Sequence, residues 1–434
     1  MITRLQVDGF KNLVDVDIHF DKFNVITGAN GVGKSNLFDA IHLINSISKN
    51  SILKGLSSIR GGENNPINLF PKFTTQSKIE ASFIVKLKIE DHTSFAYSFV
   101  LAVNKSQNSP TSITLKNEKL AKLLSDKSAN TVFTDKTTGD LFFEEKDFLE
   151  TINSFSNYKT SSLFNLGIND DSESKYARMC LIEIFSWATI YLDEKNRVTY
   201  QKGSIDNSEE LIIRIPIWIK EIINFKKDEN SVYINLSNRI FELTGDIKEF
   251  RLHQNEQEET LWLEAKDING DWYPGNMLSD GTLRFLALIV LEMRPNQNGV
   301  FCIEEPENGI HPSKIPALMR LLRDISEKPG CQVIINTHSP ALVAQTPAED
   351  IIVAYPVQRA EPDGTYYTIP RFAGLKDTWR QEAGMHVATI SQVMDYLDPV
   401  PQRYADDPKR LLDRDDARRL MERRQARTWE VTKD

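Results

Sequence analysis

The amino-acid sequence predicts an α/β fold with a mixed sheet and an adjoining antiparallel β lobe, interrupted by a mainly helical insertion. Three observations support this prediction. Residues 23–48 read as a buried strand, a glycine-rich turn and a helix with one apolar face. Two later apolar runs, 300–303 and 333–335, have the length of buried strands and end in polar residues. Residues 78–103 alternate apolar and polar side chains, as half-buried antiparallel strands do.

Composition and charge limit the function classes open to the chain. Its 434 residues suffice for two or three domains, and 40% hydrophobic with 26% charged residues is typical of a soluble globular protein. No apolar run reaches the roughly 18 residues that span a bilayer, and the N-terminus lacks the apolar core of a signal peptide. The formal charge of −9 argues against a general nucleic-acid coat, although a local basic groove stays compatible with it.

Cysteine usage indicates the compartment. The three cysteines, Cys180, Cys302 and Cys331, are far apart and odd in number. This spacing fits neither a disulfide framework nor a zinc site. We therefore expect a cytoplasmic protein without a membrane segment.

The first 48 residues predict a phosphate-binding unit. Residues 1–27 alternate in polarity and break at 9–12, which predicts two strands, a turn between them and a third strand. The next eight residues fit G-x-x-x-x-G-K-[ST], the P-loop pattern, and a helix follows at 36–48. A chance match in a glycine turn is the alternative, and the flanking strand and helix argue against it.

The P-loop pattern assigns roles to individual residues. Its glycines let backbone N–H groups approach phosphate oxygens, Lys34 is expected to reach the β- and γ-phosphates, and the Ser35 hydroxyl is expected to ligate Mg²⁺. The predicted nucleotide-binding residues of this turn are Gly28, Ala29, Asn30, Gly31, Val32, Gly33, Lys34, Ser35 and Asn36.

The middle of the chain is predicted to divide the head domain in two. Residues 49–75 are rich in Ser, Gly and Asn and predict a loop, and 78–103 predict a hairpin. Polar residues dominate 104–140, and helical patterns follow at 141–158, 174–193 and 208–225. Strand patterns (SVYINL, IKEFRLH, TLWLEAKD) return in 231–276. The predicted division is 1–103 and 231–398 for the two parts of the head, 104–230 for a mainly helical insertion and 399–434 for a charged tail.

A second anion site is predicted where a Ser–Asp–Gly turn opens an apolar helix at 283–293. The Ser279 hydroxyl, the Gly281 N–H and the helix dipole would face a phosphate, with Asp280 beside them. An ordinary helix N-cap explains the same turn and is the alternative.

Polar residues at the ends of the two later apolar strands predict the catalytic groups. Glu304 is assigned to Mg²⁺, and Glu305 is assigned as the general base that polarises the attacking water. His338, after the next strand, is expected to contact the γ-phosphate and to report its loss. Surface charge for the two acids and a structural role for the histidine are the alternatives, and the position at strand ends favours function.

These motifs, in the order GANGVGKS, LSDGT, IEEPENGIHP and NTHSP, resemble the ABC ATPases of the SMC, RecF and OLD (overcoming lysogenization defect) group. The sequence looks closest to the compact bacterial AAA family ATPases of that group. The resemblance covers residues 1–100 and about 231–395. It implies an ABC-type ATPase head with the P-loop NTPase fold. By this resemblance, residues 28–35 match Walker A and residues 279–282 match the signature. Glu304 and Glu305 match Walker B with its catalytic glutamate. Glu307 and Asn308 match the start of the D-loop, and His338 matches the switch histidine.

Two departures from transporter-type ABC proteins follow from this match. Asp280 and Thr282 stand where transporter signatures usually have Gly and Gln, and Glu304 stands where Asp is usual. Both departures are typical of the RecF/OLD-like subgroup.

The resemblance also implies cofactors and partners. ATP and Mg²⁺ are the expected cofactors, and two heads are expected to form a homodimer around two ATP molecules. Ser279 of one chain would cap the γ-phosphate that Lys34 of the other chain binds. Higher oligomers and a nucleic-acid partner stay open at this point.

The C-terminal segment indicates whether a nuclease domain is expected in the same chain. OLD-type enzymes continue into a TOPRIM nuclease, whereas here about 95 residues follow His338, with strand patterns at 351–372, a helix at 380–397 and a tail dense in Arg, Asp and Glu. The tail reads as a solvated charged helix, with docking to a partner or nucleic acid as the alternative. We therefore expect a separate nuclease or toxin as partner, and predict an ATP-driven dimeric switch in anti-phage defence or DNA repair. A RecF-like ATPase acting directly on DNA and an ATP-bound scaffold without turnover are the alternatives.

Overall fold

A computed structural model of the chain describes residues 1–63, 65–70, 78–89, 93–106, 109–124, 129–143, 174–185, 188–190, 199–201, 230–255, 260–293, 299–360 and 366–388. The predicted charged tail and most of the predicted helical patterns at 141–158 and 208–225 lie outside these residues.

Strands outnumber helices in the described part of the chain. The strands are β1 (Ile2–Asp8), β2 (Val16–His19), β3 (Phe23–Gly28), β4 (Lys78–Lys88), β5 (Ser94–Ser106), β6 (Ser109–Leu123), β7 (Ala129–Phe143), β8 (Ala188–Ile190), β9 (Thr199–Gln201), β10 (Ile247–Asn255), β11 (Thr260–Asp267), β12 (Trp272–Pro274), β13 (Gly299–Glu304), β14 (Cys331–Thr337), β15 (Ile351–Ala360), β16 (Tyr366–Leu375) and β17 (His386–Ala388). The helices are α1 (Lys34–Lys49), α2 (Ile52–Ser57), α3 (Ser174–Phe185), α4 (Asn230–Thr244), α5 (Asp280–Met293), α6 (Ile315–Glu327), α7 (Pro340–Val343) and α8 (Trp379–Glu382).

The central sheet has seven strands in the order β17, β16, β15, β3, β14, β13, β8. The strands β15, β3, β14, β13 and β8 are mutually parallel, and β16 is antiparallel to β15. The strands β3 and β14 are buried along their whole length, which explains their continuous apolar runs. The parallel arrangement brings the carboxyl ends of β3, β13 and β14 to one edge.

Each face of this sheet has its own apolar core. On one face α1 and the antiparallel sheet pack against residues such as Ile26, Cys302 and Ile334. On the other face α5 and α6 pack against their sheet neighbours, among them Ile303 and Ile335. The alternation of side chains along each strand produces these two cores, because successive residues point to opposite faces.

The antiparallel sheet has more strands than the sequence predicted. It has six strands in the order β2, β1, β4, β5, β6, β7. The N-terminal strand–turn–strand and the hairpin of β4 and β5 are confirmed, but β6 and β7 occupy 109–123 and 129–143, where we predicted the start of a mainly helical insertion. The prediction was wrong there because β6 buries Ile113, Leu115 and Leu120 while Asn117 and Lys119 are exposed. Some of the polar side chains that suggested an insertion, among them Ser112 and Thr114, are buried in the sheet.

Three further local predictions differ from the structure. The segment SVYINL, predicted as a strand, lies in helix α4, because Leu236, Ile240 and Leu243 have helical spacing and are buried together. The loop predicted over 49–75 contains α2, with Ser51 as its side-chain N-cap. Of the helix predicted over 380–397, residues 389–397 lie outside the described residues, and within 380–388 the chain forms the end of the short α8 and the strand β17. Of the helix predicted over 174–193, residues 174–185 are confirmed as α3, whereas 188–190 form the strand β8.

A small third sheet precedes the helix α5. It pairs β10 with β11 along the whole of β11, while β12 pairs with residues 264–266 and β9 with residues 260–262 of β11. The predicted turn at 269–271 connects β11 with β12. Among the helices of the described part, none is long and apolar enough to cross a membrane.

His42 on helix α1 should make stability depend on pH. Its Nε2 lies 3.2 Å from the Ser46 hydroxyl and 3.4 Å from the Ser58 hydroxyl, and burial lowers the pKa of the imidazole from 6.5 to about 4. The unfolded chain binds this proton at higher pH, so the free energy of unfolding should fall by about 3 kcal/mol between pH 6.5 and pH 4. Urea unfolding of the wild type and His42→Gln at both pH values tests this. An equal loss of stability in both proteins would contradict it.

Candidate functional site

Three of the four predicted motifs meet at the carboxyl edge of the central sheet. In the sheet register Glu304 pairs with Asn336, and Thr337 pairs with Thr27 directly before the P-loop. Open parallel sheets bind ligands at this edge, where successive strand ends place polar residues side by side. The P-loop, the Glu304–Glu305 pair and the His338 turn therefore form one site.

The P-loop has the conformation that only glycines permit at two positions. Gly28 has φ 148°, and a Cβ there would lie 2.0 Å from the carbonyl oxygen of Ala354. Gly33 has φ 120°, and a Cβ there would lie 2.8 Å from the Asn12 side chain. The helix α1 begins directly afterwards, so its N-terminal N–H groups face the loop. The loop between β3 and α1 thus has the geometry of a phosphate cradle.

The side chain of Lys34 lies within this loop. It is 7% exposed, and its ammonium donates to the carbonyl of Gly28 at 2.6 Å and to that of Ala29 at 2.9 Å. Burial lowers the pKa of Lys34, and the nearby carboxylates of Glu305, Glu307 and Glu304 act in the opposite direction. Those three acids therefore lie near the lysine that is predicted to bind the β- and γ-phosphates.

Glu304 is held by an arginine that no sequence motif indicated. The Arg60 guanidinium donates to both oxygens of Glu304, at 3.0 and 3.2 Å, and to the carbonyl of Ser35 at 3.0 Å. Its Nε donates to Asp39, which is 2% exposed and also binds Lys11 at 2.6 Å. A buried acid on α1 therefore fixes Arg60 against the predicted metal ligand.

The donor atoms near Glu304 fit Mg²⁺. The hydroxyl of Ser35 lies 3.4 Å from Nδ2 of Asn336, the residue paired with Glu304 in the sheet. The same Arg60 nitrogen donates to the Ser35 carbonyl and to Glu304, so Ser35 and Glu304 lie close together. Mg²⁺ is usually bound by one or two such protein oxygens together with water and phosphate oxygens. Within the described residues there is no cluster of three or more His, Cys, Asp or Glu that could hold a metal ion.

Glu305 has a strained backbone and a fixed side chain. Its φ of 45° lies in the left-handed region, where residues with a Cβ are uncommon and functional sites are over-represented. Its N–H donates to both the carbonyl and the side-chain oxygen of Asn336, each at 3.0 Å. Its carboxylate accepts from Asn308 at 2.5 Å and lies 3.1 Å from Nδ1 of His338. Two predicted catalytic residues, Glu305 and His338, are therefore in direct contact.

The predicted signature turn lies at the start of α5. The Ser279 hydroxyl accepts from the N–H of Thr282 at 3.1 Å, which is the helix N-cap that the sequence allowed as the alternative. Ser279 is exposed, and Met277 just before it is 72% exposed. A Cβ on Gly281 would lie 2.6 Å from the carbonyl of Gly309, so this turn packs tightly on the segment after Glu305. Arg284, one turn further on, donates to the Glu305 carbonyl at 3.3 Å.

Several residues of the site were not predicted from the sequence, or were predicted to have another role. Asn12 was placed in a turn, and its side chain donates to the Val32 carbonyl at 3.2 Å and accepts from Asn36 at 2.7 Å, which braces the P-loop. Asn336 lies inside a recognised motif but had no assigned role. Asp39 and Arg60 have no local signal, because their partners are brought together only by the fold.

Comparison with known proteins identifies the family of the chain. The family model described as "AAA domain, putative AbiEii toxin, Type IV TA system" matches residues 23–344. A curated relative, an ATP/GTP phosphatase of Helicobacter pylori, is 22% identical over 355 residues, covering 79% of this chain and 86% of its own. The DNA replication and repair protein RecF of Geobacter metallireducens is 37% identical over 54 residues, 12% of this chain and 15% of RecF. A solved Smc head domain with a coiled coil and joint, from Pyrococcus yayanosii, has a TM-score of 0.43 at 14% identity and covers 92% of this chain and 99% of its own.

Proposed function

The chain belongs to this AAA domain family and is an ATPase of the SMC/RecF-like type, and from that premise we propose that it hydrolyses ATP at the carboxyl edge of its central sheet. The observation that best supports this location is the contact between Glu305 and His338 beside the P-loop lysine. A phosphate-binding loop, a held carboxylate and a histidine at one sheet edge are the groups that phosphoryl transfer to water requires.

Each residue has a proposed role in the reaction. Lys34 binds the β- and γ-phosphates, because its buried ammonium already donates to carbonyls of the same loop and can donate to phosphate oxygens there. Glu305 accepts a proton from the attacking water, and His338 stabilises charge on the γ-phosphate. Asn308 and Asn336 hold Glu305 in its strained conformation, so the base is positioned before the substrate arrives.

The proposed metal site consists of Ser35 and Glu304. When bound, Mg²⁺ supplies positive charge that neutralises the phosphates. For Glu304 to be a ligand, the Arg60 guanidinium has to share or release its oxygens. Asp39 would then keep Arg60 near the phosphates, because its hydrogen bond to Arg60 Nε does not depend on Glu304.

We further propose that two chains form a composite site. The exposure of Ser279 and Met277 at the start of α5 supports this, because a helix N-terminus with accessible N–H groups can receive a phosphate bound to another chain. The contacts of α5 with the segment after Glu305 would transmit such binding to the base. Hydrolysis would then depend on association of two heads.

The proposed biological role is a switch for a separate effector, a nuclease or a toxin, in anti-phage defence or DNA repair. The family description names a toxin–antitoxin system, which supports a role in defence and leaves the effector itself a proposal. The local match to a RecF protein supports the second candidate, an ATPase that acts directly on DNA. Stimulation of phosphate release by DNA alone would favour the second candidate over the first.

Lys34→Ala tests the proposed site directly. We expect weaker binding of ATP by about 10- to 100-fold, since a hydrogen bond from a charged donor contributes about 1.5–3 kcal/mol, and no detectable phosphate release. Fluorescence titration with a labelled nucleotide and a phosphate-release assay measure these effects. Lys22→Ala is the matched control, because this exposed lysine lies just before β3 at the opposite sheet edge. Equal effects of both substitutions would reject this site.

A further inference from the structure

A second acid of the Glu305 segment contacts the histidine turn. Glu307 is 7% exposed, and its Oε1 accepts a hydrogen bond from the hydroxyl of Thr337, which is fully buried. The same hydroxyl accepts from the N–H of Ser339 at 2.9 Å. A chain of two hydrogen bonds therefore runs from Glu307 through Thr337 to Ser339.

His338 lies between the two residues that this chain orders. Its backbone is bracketed by Thr337 and Ser339, and its ring lies 3.1 Å from Oε1 of Glu305. The segment after β13 thus holds the histidine turn at two places, with Glu305 at the ring and Glu307 at the backbone. A shift of the turn would change the distance between the ring and Glu305.

The burial of the Glu307 carboxyl destabilises the folded protein. Its other oxygen, Oε2, is buried and has no hydrogen-bond partner among the described residues, and burial raises the pKa of the carboxyl. The hydroxyl of Thr27, in the strand position that pairs with Thr337, is also buried without a described partner. Unsatisfied buried polar atoms of this kind destabilise a protein and concentrate where function requires a fixed geometry.

We propose that Glu307 is a positioning residue for ATP hydrolysis, which holds the Thr337–Ser339 turn and thereby orients His338 toward Glu305 and the γ-phosphate. This inference rests on the proposed function of Glu305 and His338. The role needs a hydrogen-bond acceptor at residue 307 and a donor at residue 337, and it does not need the charge of the carboxylate. Glutamine at 307 and serine at 337 should therefore preserve it.

Paired variants separate this role from a merely structural one. For Glu307→Ala and Thr337→Val we expect kcat for ATP hydrolysis to fall about 10- to 100-fold, because small displacements of a catalytic group cost rates of this order. The KM for ATP should change by a smaller factor than kcat, since the hydrogen bonds of Lys34 within the P-loop are kept. Glu307→Gln and Thr337→Ser should stay within about threefold of the wild-type kcat. Glu327→Ala, at an exposed position near the end of α6, is the control for loss of an acid.

A nuclear magnetic resonance measurement gives a readout that does not require activity. In protein with ¹⁵N-labelled histidine, the ring signals of His338 are assigned by their loss in His338→Gln. We expect them to shift or broaden in Glu307→Ala and Thr337→Val and to keep their positions in Glu307→Gln and Glu327→Ala. If Glu307→Ala fails to fold, the comparison of Thr337→Val with Thr337→Ser decides.

Two results would overturn the inference. The first is that Glu307→Ala or Thr337→Val leaves both the His338 ring signals and the kcat for ATP hydrolysis unchanged. The other is an equal loss in Glu307→Gln and Glu307→Ala, which would mean that the charge and not the hydrogen bond matters. A wild-type protein without phosphate release would reject the proposed function instead, and the histidine signals alone would then decide whether Glu307 orders the turn.

Discussion

Replacing Glu305 by glutamine is expected to lower kcat for ATP hydrolysis by about 10²- to 10⁴-fold, the usual contribution of a general base. The amide can keep the hydrogen bond from Asn308 and the contact with His338, so the geometry of the site should survive. It cannot accept the proton of the attacking water. ATP affinity should therefore stay near the wild-type value, and the protein should accumulate with ATP bound.

Single-turnover hydrolysis and nucleotide titration measure the two parts of this prediction. Size-exclusion chromatography with ATP then shows whether the trapped state is the proposed dimer, which should be more abundant in Glu305→Gln than in the wild type. Glu327→Gln serves as the control for the same chemical change at an exposed acid. Unchanged turnover in Glu305→Gln would remove Glu305 from the base role.

The motif-bearing part of the site could be predicted from the sequence because it depends on local structure. A glycine turn between a strand and a helix has a residue pattern of its own, and a buried strand that ends in acids is visible as an apolar run. Knowing that the strands are parallel then suffices to place Glu304 and His338 at one edge. The strands β3, β13 and β14 and the β4–β5 hairpin could be predicted from the sequence for the same reason.

The other parts of the site and of the fold depend on contacts between residues that are far apart in the sequence. Arg60 and Glu304 are 244 positions apart, and nothing in the residues around Arg60 indicates a partner. The Glu307–Thr337 bond joins two recognised motifs, but their hydrogen bonding depends on how the loops after β13 and β14 fold. The strands β6 and β7 were missed because a sheet with one solvated face tolerates a polar composition that resembles an insertion. The helix α4 was missed because its short segment SVYINL also fits a strand period.

Whether the P-loop is complete within one chain can be decided with two inactive variants. Lys34→Ala lacks the phosphate-binding lysine, and Ser279→Arg places a long cation at the exposed start of α5. Each variant alone should release almost no phosphate if sites form between chains. Mixed in equal amounts before ATP is added, they should recover about a quarter of the wild-type rate. Half of the dimers are then mixed, and one of the two sites in each combines an intact Lys34 with an intact Ser279.

The control for this mixing experiment follows from the structure. Lys34 and Glu305 lie in the same chain's cluster, so a mixture of Lys34→Ala and Glu305→Gln contains no site with both residues intact and should stay inactive. Recovery in the first mixture but not in the second would place Ser279 on the partner chain and Glu305 on the chain that binds the phosphates. Full activity of Ser279→Arg alone would mean that Ser279 is only the N-cap of α5. No recovery in either mixture, with Ser279→Arg inactive, would mean that both elements act within one chain, because a site formed in cis cannot be complemented by a second copy.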